Sequence, residues 1–237
     1  MASRVAVHVG DQDGDEYIVK AHLGRKLFIR YTDNQAKSTN YINDLQHFSV
    51  QDRYRVIGLD VEFTKPRGRN RRRFIAVLQL YVRDNVLLYN HCRANDTYSK
   101  LQQFLGDEQY TFASVDTVND KEVLANTGLK VANLVDIQKQ YRVAGSGKRP
   151  EQKDSLEDLA KSIICPSYEG LKKMMTLEKK AWLHSTWEEK LMLEHISYAA
   201  IDAFVSYDMY RRISIMRECL QQYTREEDAP HSSRRTR

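Results

Sequence analysis

Val56-Ile57-Gly58-Leu59-Asp60-Val61-Glu62-Phe63-Thr64 alternates in the manner of a β-strand. A period of two puts Ile57, Leu59, Val61 and Phe63 on one face and Gly58, Asp60 and Glu62 on the other. Asp60 and Glu62 are therefore neighbours, with Cα atoms about 6.6 Å apart at a rise of about 3.3 Å per residue, so both carboxylates can reach one ion. On a strand apolar enough to be central, two such charges repel unless a cation or a proton intervenes. Hard oxygen ligands of this kind suit Mg²⁺ or Mn²⁺ rather than a thiolate-seeking metal. The competing reading is an edge strand with a solvated acidic face.

Upstream of this strand, Tyr17 to Ala21 and Leu27 to Tyr31 alternate around a turn at Leu23-Gly24-Arg25, the pattern of an antiparallel hairpin. Tyr41, Leu45 and Phe48 fall at helical spacing within 34–48. Downstream, Phe74 to Val82 and Val86 to Tyr89 read as strands about a turn at Asp84-Asn85. The chain then alternates: a helix near 97–105, a strand at 111–116, a helix at 120–126 capped by Asn119 or Asp120, and a short strand near Leu134. After a Gly145-Ser146-Gly147 loop, Ser155-Leu156-Glu157-Asp158 resembles a capping box that opens a helix to Ile164. A long helix over 188–217 ends the sequence of elements. Strands first and helices interleaved later predict a mixed α/β domain over 16–217, a disordered lead-in over 1–15, and a basic, flexible tail over 218–237.

The chain has 237 residues, 41% of them hydrophobic and 29% charged, with ten Gly and four Pro, which argues for a folded domain rather than disorder. A chain of this length buries roughly 70 to 75% of its unfolded surface, so a core alone can hold it together. Cys92, Cys165 and Cys219 form no C-x-x-C pair and cannot all be bridged within one chain, which fits a reducing, intracellular setting, nuclear or cytoplasmic. No run of about 18 apolar residues is present and the N-terminal stretch lacks a signal-peptide core, which argues against membrane spanning and secretion. A zinc site is also disfavoured, since neither H-E-x-x-H nor paired cysteines occur; His91-Cys92 reads as core.

Net charge is +5, and its distribution is uneven. Lys65 to Arg73 holds six cations (Lys65, Arg67, Arg69, Arg71, Arg72, Arg73) and no acid, so the remainder of the chain would stand at −1. A near-neutral body with its positive charge gathered into one loop suits a phosphate polymer.

The long helix carries a second unusual group. Tyr198 and Asp202 are four residues apart and project from one helical face about 6 Å apart along the axis. The neighbours Ala199, Ala200, Ile201, Ala203, Phe204 and Val205 look packed, and an ionised Asp there needs a partner that small alanines would let the helix approach. Asp120 stands where a strand-like run meets a helix start; such a junction points off the end of a sheet, where α/β proteins bind ligands.

Taken in order, G-L-D-V-E (58–62), A-V-L-Q-L (76–80), N-D-x-x-x-L (119–124), S-L-x-x-L-A (155–160) and Y-A-A-I-D-A (198–203) resemble the DEDD 3′-5′ exonucleases of the ribonuclease H-like fold. The likeness is greatest to the Werner-syndrome-type exonuclease domain, in particular its plant members, and covers Tyr17 to Ile215. Tyr four residues before the last Asp marks the DEDDy subclass; the histidine subclass would need His at 197, where this chain has Ser197. The resemblance implies an α/β fold with a mixed sheet flanked by helices, and removal of nucleoside 5′-monophosphates from DNA 3′ ends by two Mg²⁺ or Mn²⁺ ions about 3.5 to 4 Å apart. In that reading Asp60 bridges both ions, Glu62 and Asp202 hold the nucleophile-side ion, Asp120 anchors the second through water, and Tyr198 orients the attacking water. Lys65, Arg67, Arg69, Arg71, Arg72 and Arg73 would meet nucleic-acid phosphates at the mouth of the site, and the run doubles as a candidate nuclear localisation signal. A helicase is a candidate partner. The chain departs from the family pattern at Ser114 and Asp116, where glycines are common, and at Phe63, where Trp is common. The alternatives are an RNA-trimming exonuclease of the RNase D kind and a nucleic-acid-binding scaffold with an inactive exonuclease fold.

Overall fold

The computed structural model describes residues 7–8, 15–21, 24–66, 68–69, 71–94, 99–143, 154–168 and 186–227. Its strands are β1 (Val7–His8), β2 (Glu16–Lys20), β3 (Lys26–Thr32), β4 (Val56–Phe63), β5 (Ile75–Val82), β6 (Asn85–Asn90), β7 (Thr111–Ser114) and β8 (Leu134–Asp136). Its helices are α1 (Gln35–Val50), α2 (Ser99–Leu105), α3 (Thr117–Asn126), α4 (Ile137–Val143), α5 (Leu156–Ile163) and α6 (Leu193–Glu227). The strands form one mixed sheet in the order β1-β2-β3-β6-β5-β4-β7-β8. It is flanked by helices, as the ribonuclease H-like expectation requires.

β4 is an interior strand, antiparallel to β5 on one side and parallel to β7 on the other, which removes the edge-strand reading. β7 pairs with β4 only from Val56 to Gly58, so Asp60 and Glu62 lie past the last paired residue on that side. The β4 face that carries Gly58 is covered by α6. A Cβ on Gly58 would stand 2.0 Å from the Ala203 carbonyl oxygen and 2.9 Å from Tyr207 Cβ, so only glycine permits this crossing. Tyr81, opposite Gly58 on β5, meets Phe204 and Tyr207 edge-on at centroid distances of 5.3 and 4.9 Å. Residues of the opposite face, Leu59, Leu78 and Leu80, are fully buried too.

The segment before α6 is fixed by buried polar groups. Tyr31 Oη accepts from Asn90 Nδ2 at 3.0 Å and from the Leu191 N–H at 3.3 Å, and Asn90 Nδ2 also donates to the Glu189 carbonyl at 3.1 Å. His195 then closes the first turn of the helix: its Nδ1 accepts from the Met192 N–H at 3.2 Å, which leaves Nε2 to carry the proton toward Thr186 Oγ1 at 2.8 Å. Trp187, 2% exposed, packs edge-on against the His195 ring, as expected of a packing anchor; its companion Trp182 lies outside the described residues.

Several boundaries differ from the sequence reading. α3 begins at Thr117, with Asp116 as its N-terminal flank, so neither Asn119 nor Asp120 caps it. Buried Asp120 instead lies in the first turn, since the strand stops at Ser114 and the chain turns sooner than its apolar pattern indicates. α6 starts at Leu193 and runs on to Glu227, through a segment assigned to the tail, because polar residues of high helix propensity continue it beyond the packed part. Val7–His8 pairs with β2 inside the segment expected to be a lead-in. Cys92 is exposed, while His91 is half-buried against Tyr89 and its pKa is lowered to about 4 by burial. The capping box at Ser155 is formed as expected, with Ser155 Oγ accepting from the Asp158 N–H and Asp158 accepting from the Ser155 N–H. The Gly145-Ser146-Gly147 loop lies outside the described residues.

Gly58→Ala should cost about 3 kcal/mol in unfolding free energy, because the added methyl meets backbone rather than a movable side-chain end. Chemical denaturation reads this directly, and a loss under about 1 kcal/mol would show that α6 can retreat from β4 cheaply.

Candidate active site

Three carboxylates converge where α6 passes β4. One oxygen from each of Asp60, Glu62 and Asp202 lies within 4.8 Å of the others. Asp202 and Glu62 are buried and Asp60 is half-buried. The strand period and the helix crossing together cause this: Asp60 and Glu62 follow Gly58 on one face, and Asp202 directly precedes the Ala203 carbonyl that rests on Gly58.

A cleft of about 480 Å³ opens over the three acids. Asp116, Asp120 and Asp154 line it as well, and no Lys or Arg does so among the described residues. Asp120 reaches the cleft from α3 but is not part of the three-oxygen group. Its Oδ2 accepts from Ser114 Oγ at 2.5 Å. Burial, and after it the charges of Asp116 and Asp136, push the Asp120 carboxyl up to about 7 against the lowering effect of the Ser114 hydrogen bond.

Tyr198 enters the same cleft one turn before Asp202. Burial raises its pKa well above the usual phenol value, and Asp202, Glu62 and Asp60 add to the rise. The phenol is thus protonated at neutral pH and offers an O–H donor, with Asp202 as a hydrogen-bond partner. The Trp187 ring lies 6.1 Å from it, centroid to centroid. Ser197 bonds back to its own helix through Oγ to the Leu193 carbonyl at 2.8 Å.

Ser114 and Asp116, where the resemblance implies glycines, have local explanations. Asp116 takes the left-handed conformation (φ 60, ψ 50), which glycine adopts freely and Asp tolerates better than most residues; Asn119 Nδ2 donates to its Oδ2 at 2.8 Å. Ser114 supplies the Asp120 hydrogen bond, which a glycine could not.

Gln79, Asp154 and Gln138 belong to the site and were not singled out from sequence. Gln79 is fully buried opposite Asp60 on β5; with its amide nitrogen turned inward it donates to Asp60 Oδ2 at 3.1 Å and to the Ala199 carbonyl at 3.3 Å. Asp154 and Gln138 line the cleft, and Gln138 Nε2 donates to the Asp154 carbonyl at 2.9 Å. The A-V-L-Q-L run carries the signal for Gln79, a polar residue inside an apolar strand.

The basic loop leaves the cleft edge. Glu188 accepts from the Lys65 N–H at 2.7 Å, pinning its start, and the Arg73 guanidinium lies 5.2 Å from the centroid of Phe63, a cleft residue. Lys65, Arg69, Arg71 and Arg72 are exposed, Arg73 is half-buried, and Arg67 lies outside the described residues.

A family model described as 3′-5′ exonuclease matches residues 29–217. No curated protein sequence matches the chain. Among solved structures it is similar to the EXO domain of Nibbler from Aedes aegypti, with 17% identity, 81% of this chain and 90% of that one covered, and a TM-score of 0.61. It is also similar to the catalytic core of RRP6 from Trypanosoma brucei (16% identity, coverage 81% and 48%, TM-score 0.58) and to Escherichia coli RNase D (18%, 85% and 51%, 0.57). The match covers about half of the length of each of these last two chains. These likenesses support the fold. Because the matched family region takes in β4, α3 and the part of α6 that bears Tyr198 and Asp202, the chain belongs to the 3′-5′ exonuclease family, enzymes that hydrolyse phosphodiester bonds from a 3′ end.

Proposed function

We propose that the chain is a DEDDy exonuclease of the Werner type, plant-like in its lead-in elements, that removes nucleoside 5′-monophosphates from DNA 3′ ends. The observation that carries the reading is the convergence of Asp60, Glu62 and Asp202 within 4.8 Å. An all-oxygen donor set with no cation lining its cleft among the described residues fits Mg²⁺ or Mn²⁺. Asp60 would hold both ions, Glu62 and Asp202 the one on the nucleophile side, and Asp120 the other through water. Bound there, the two ions supply a more acidic water and charge neutralisation at the scissile phosphate.

The chain's own residues do the rest. Tyr198, protonated at neutral pH, orients the attacking water as a hydrogen-bond partner and does not serve as a general base. Gln79 holds the Asp60 carboxylate in place. Lys65, Arg69 and Arg71 to Arg73 receive phosphates beside the cleft, with Arg67 assigned to the same role from the sequence run alone, contacts that carry affinity without sequence preference. DNA as substrate, a nuclear setting and a helicase partner rest on the Werner-type resemblance and the basic run. A second reading, RNA trimming, draws on the similarity to Escherichia coli RNase D, described as an exoribonuclease involved in structured RNA processing.

Labelled DNA and RNA strands of one sequence, incubated with Mg²⁺ or Mn²⁺, test both readings. DNA should shorten stepwise from its 3′ end, EDTA and Asp60→Asn should abolish this, and Tyr198→Phe should lower kcat by roughly 10²-fold or more while cation binding persists. Shortening of RNA alone would transfer the assignment to the second reading; strand binding without cleavage in either metal would favour an inactive scaffold.

A pH dependence follows from Asp120. Its folded-state pKa of about 7 lies above the ordinary 3.8, so the native state holds the proton more tightly and stability falls as pH rises from about 4 to about 7. Asp120→Asn cannot ionise. In EDTA-treated protein it should melt a few degrees higher than the parent at pH 8, with the difference vanishing near pH 4; a difference independent of pH would refute the assignment.

A further inference from the structure

A second cleft, of about 590 Å³, lies where the ends of β2–β3 and β5–β6, the α1–β4 connection and the middle of α6 meet. Among the described residues it is lined by Arg25, Arg53, Arg83 and Arg211 and by the acids Asp52 and Asp84; with Glu218, which pairs with Arg53, the set keeps an excess of one positive charge. Along α6, Arg211 is nine residues beyond Asp202, about 14 Å at 1.5 Å per residue. The helix thus joins an acidic cleft near its start to a basic one near its middle.

We propose that this second cleft binds a phosphate oxyanion, separately from the carboxylate site. The acids present hold guanidinium groups in position rather than neutralising the set. Asp84 pairs with Arg25, and Asp52, buried and hydrogen-bonded to Tyr207 Oη, stands 3.7 Å from Arg211 Nε. That Nε is shielded from solvent and makes no hydrogen bond. Arg53 pairs with Glu218 at 3.1 Å, while Arg83, among the described residues, donates only to the neutral Gln51 Oε1, at 2.8 Å. Guanidinium forks fixed this way match phosphate geometry, and the volume suits a small ligand.

Backbone strain marks the same place. Arg83 and Asp84, both with positive φ (44 and 72), make the two-residue turn between β5 and β6, a conformation that Asn-Gly adopts at lower cost; Arg55 nearby also has positive φ (45). Strain of this kind persists where surrounding contacts over-determine the backbone, and it clusters at binding sites.

The test uses the full chain in EDTA, so its outcome is independent of hydrolysis. Inorganic phosphate, a nucleoside 5′-monophosphate and a short single strand are titrated by calorimetry into the parent, Arg83→Asn, and Arg53→Gln/Arg83→Asn. Asn tolerates the turn conformation, so these variants should melt as the parent does. Saturable phosphate binding, weakened roughly tenfold or more in the double variant, is expected. If the monophosphate shows the same loss, the ligand source is a free nucleotide; if only the strand does, the source is the nucleic-acid backbone. No saturable binding of any of the three, or affinities unchanged in the double variant, would overturn the proposal.

Discussion

The contact on which the molecule depends is the crossing of α6 over β4 at Gly58, where helix backbone occupies the space a side chain would fill. Close packing against the sheet is ordinarily a matter of stability. Here it also sets chemistry, because the residue just before the contacting Ala203 is Asp202 and those two and four positions after Gly58 are Asp60 and Glu62. Small residues along the helix, Ala199, Ala200 and Ala203, are all fully buried and let the approach happen. The Tyr81 pairings with Phe204 and Tyr207 hold the helix in register, and the Tyr31–Asn90 hydrogen bonds hold the chain that leads into it.

Bringing these acids together carries a large cost. Two unit charges 4.8 Å apart repel by about 3 to 4 kcal/mol at an effective dielectric of about 20, and the group contains three. Neutral or hydrogen-bonding side chains moderate the cost locally, as Gln79 does for Asp60 and Ser114 for Asp120. They do not cancel the charge. A cleft with this density of carboxylates and no lining cation among the described residues has its strongest affinity for small dications, and the fold retains the arrangement because backbone packing enforces it.

How much of this the sequence discloses depends on the range of the interaction. β4 was legible to within one residue, since a period of two is a local property, and so was the Ser155 capping box. The pairing of Tyr198 with Asp202 follows from helical spacing alone. Asp120 was legible as a residue of interest but not as a buried member of the first turn of α3, because the left-handed kink at Asp116 shortens β7 and pulls the helix start forward by three residues. Gln79 was missed because its meaning lies in Asp60 across the ladder, and the arginine cleft because it assembles side chains from four separate segments. The end of α6 was misjudged for a related reason: beyond Ile213 the helix is held by propensity and surface pairs more than by core, and no breaker precedes Glu227.

Asp60 and Asp202, 142 residues apart in sequence, form one site only if they hold the same ion. Calorimetric titration with Mn²⁺ of the parent, Asp60→Asn, Asp202→Asn and the double variant measures their coupling. Strongly non-additive losses are expected, the second substitution adding little once the first has removed the shared ligand set. Losses that add independently would mean that the two carboxylates serve different sites and that no common ion joins them.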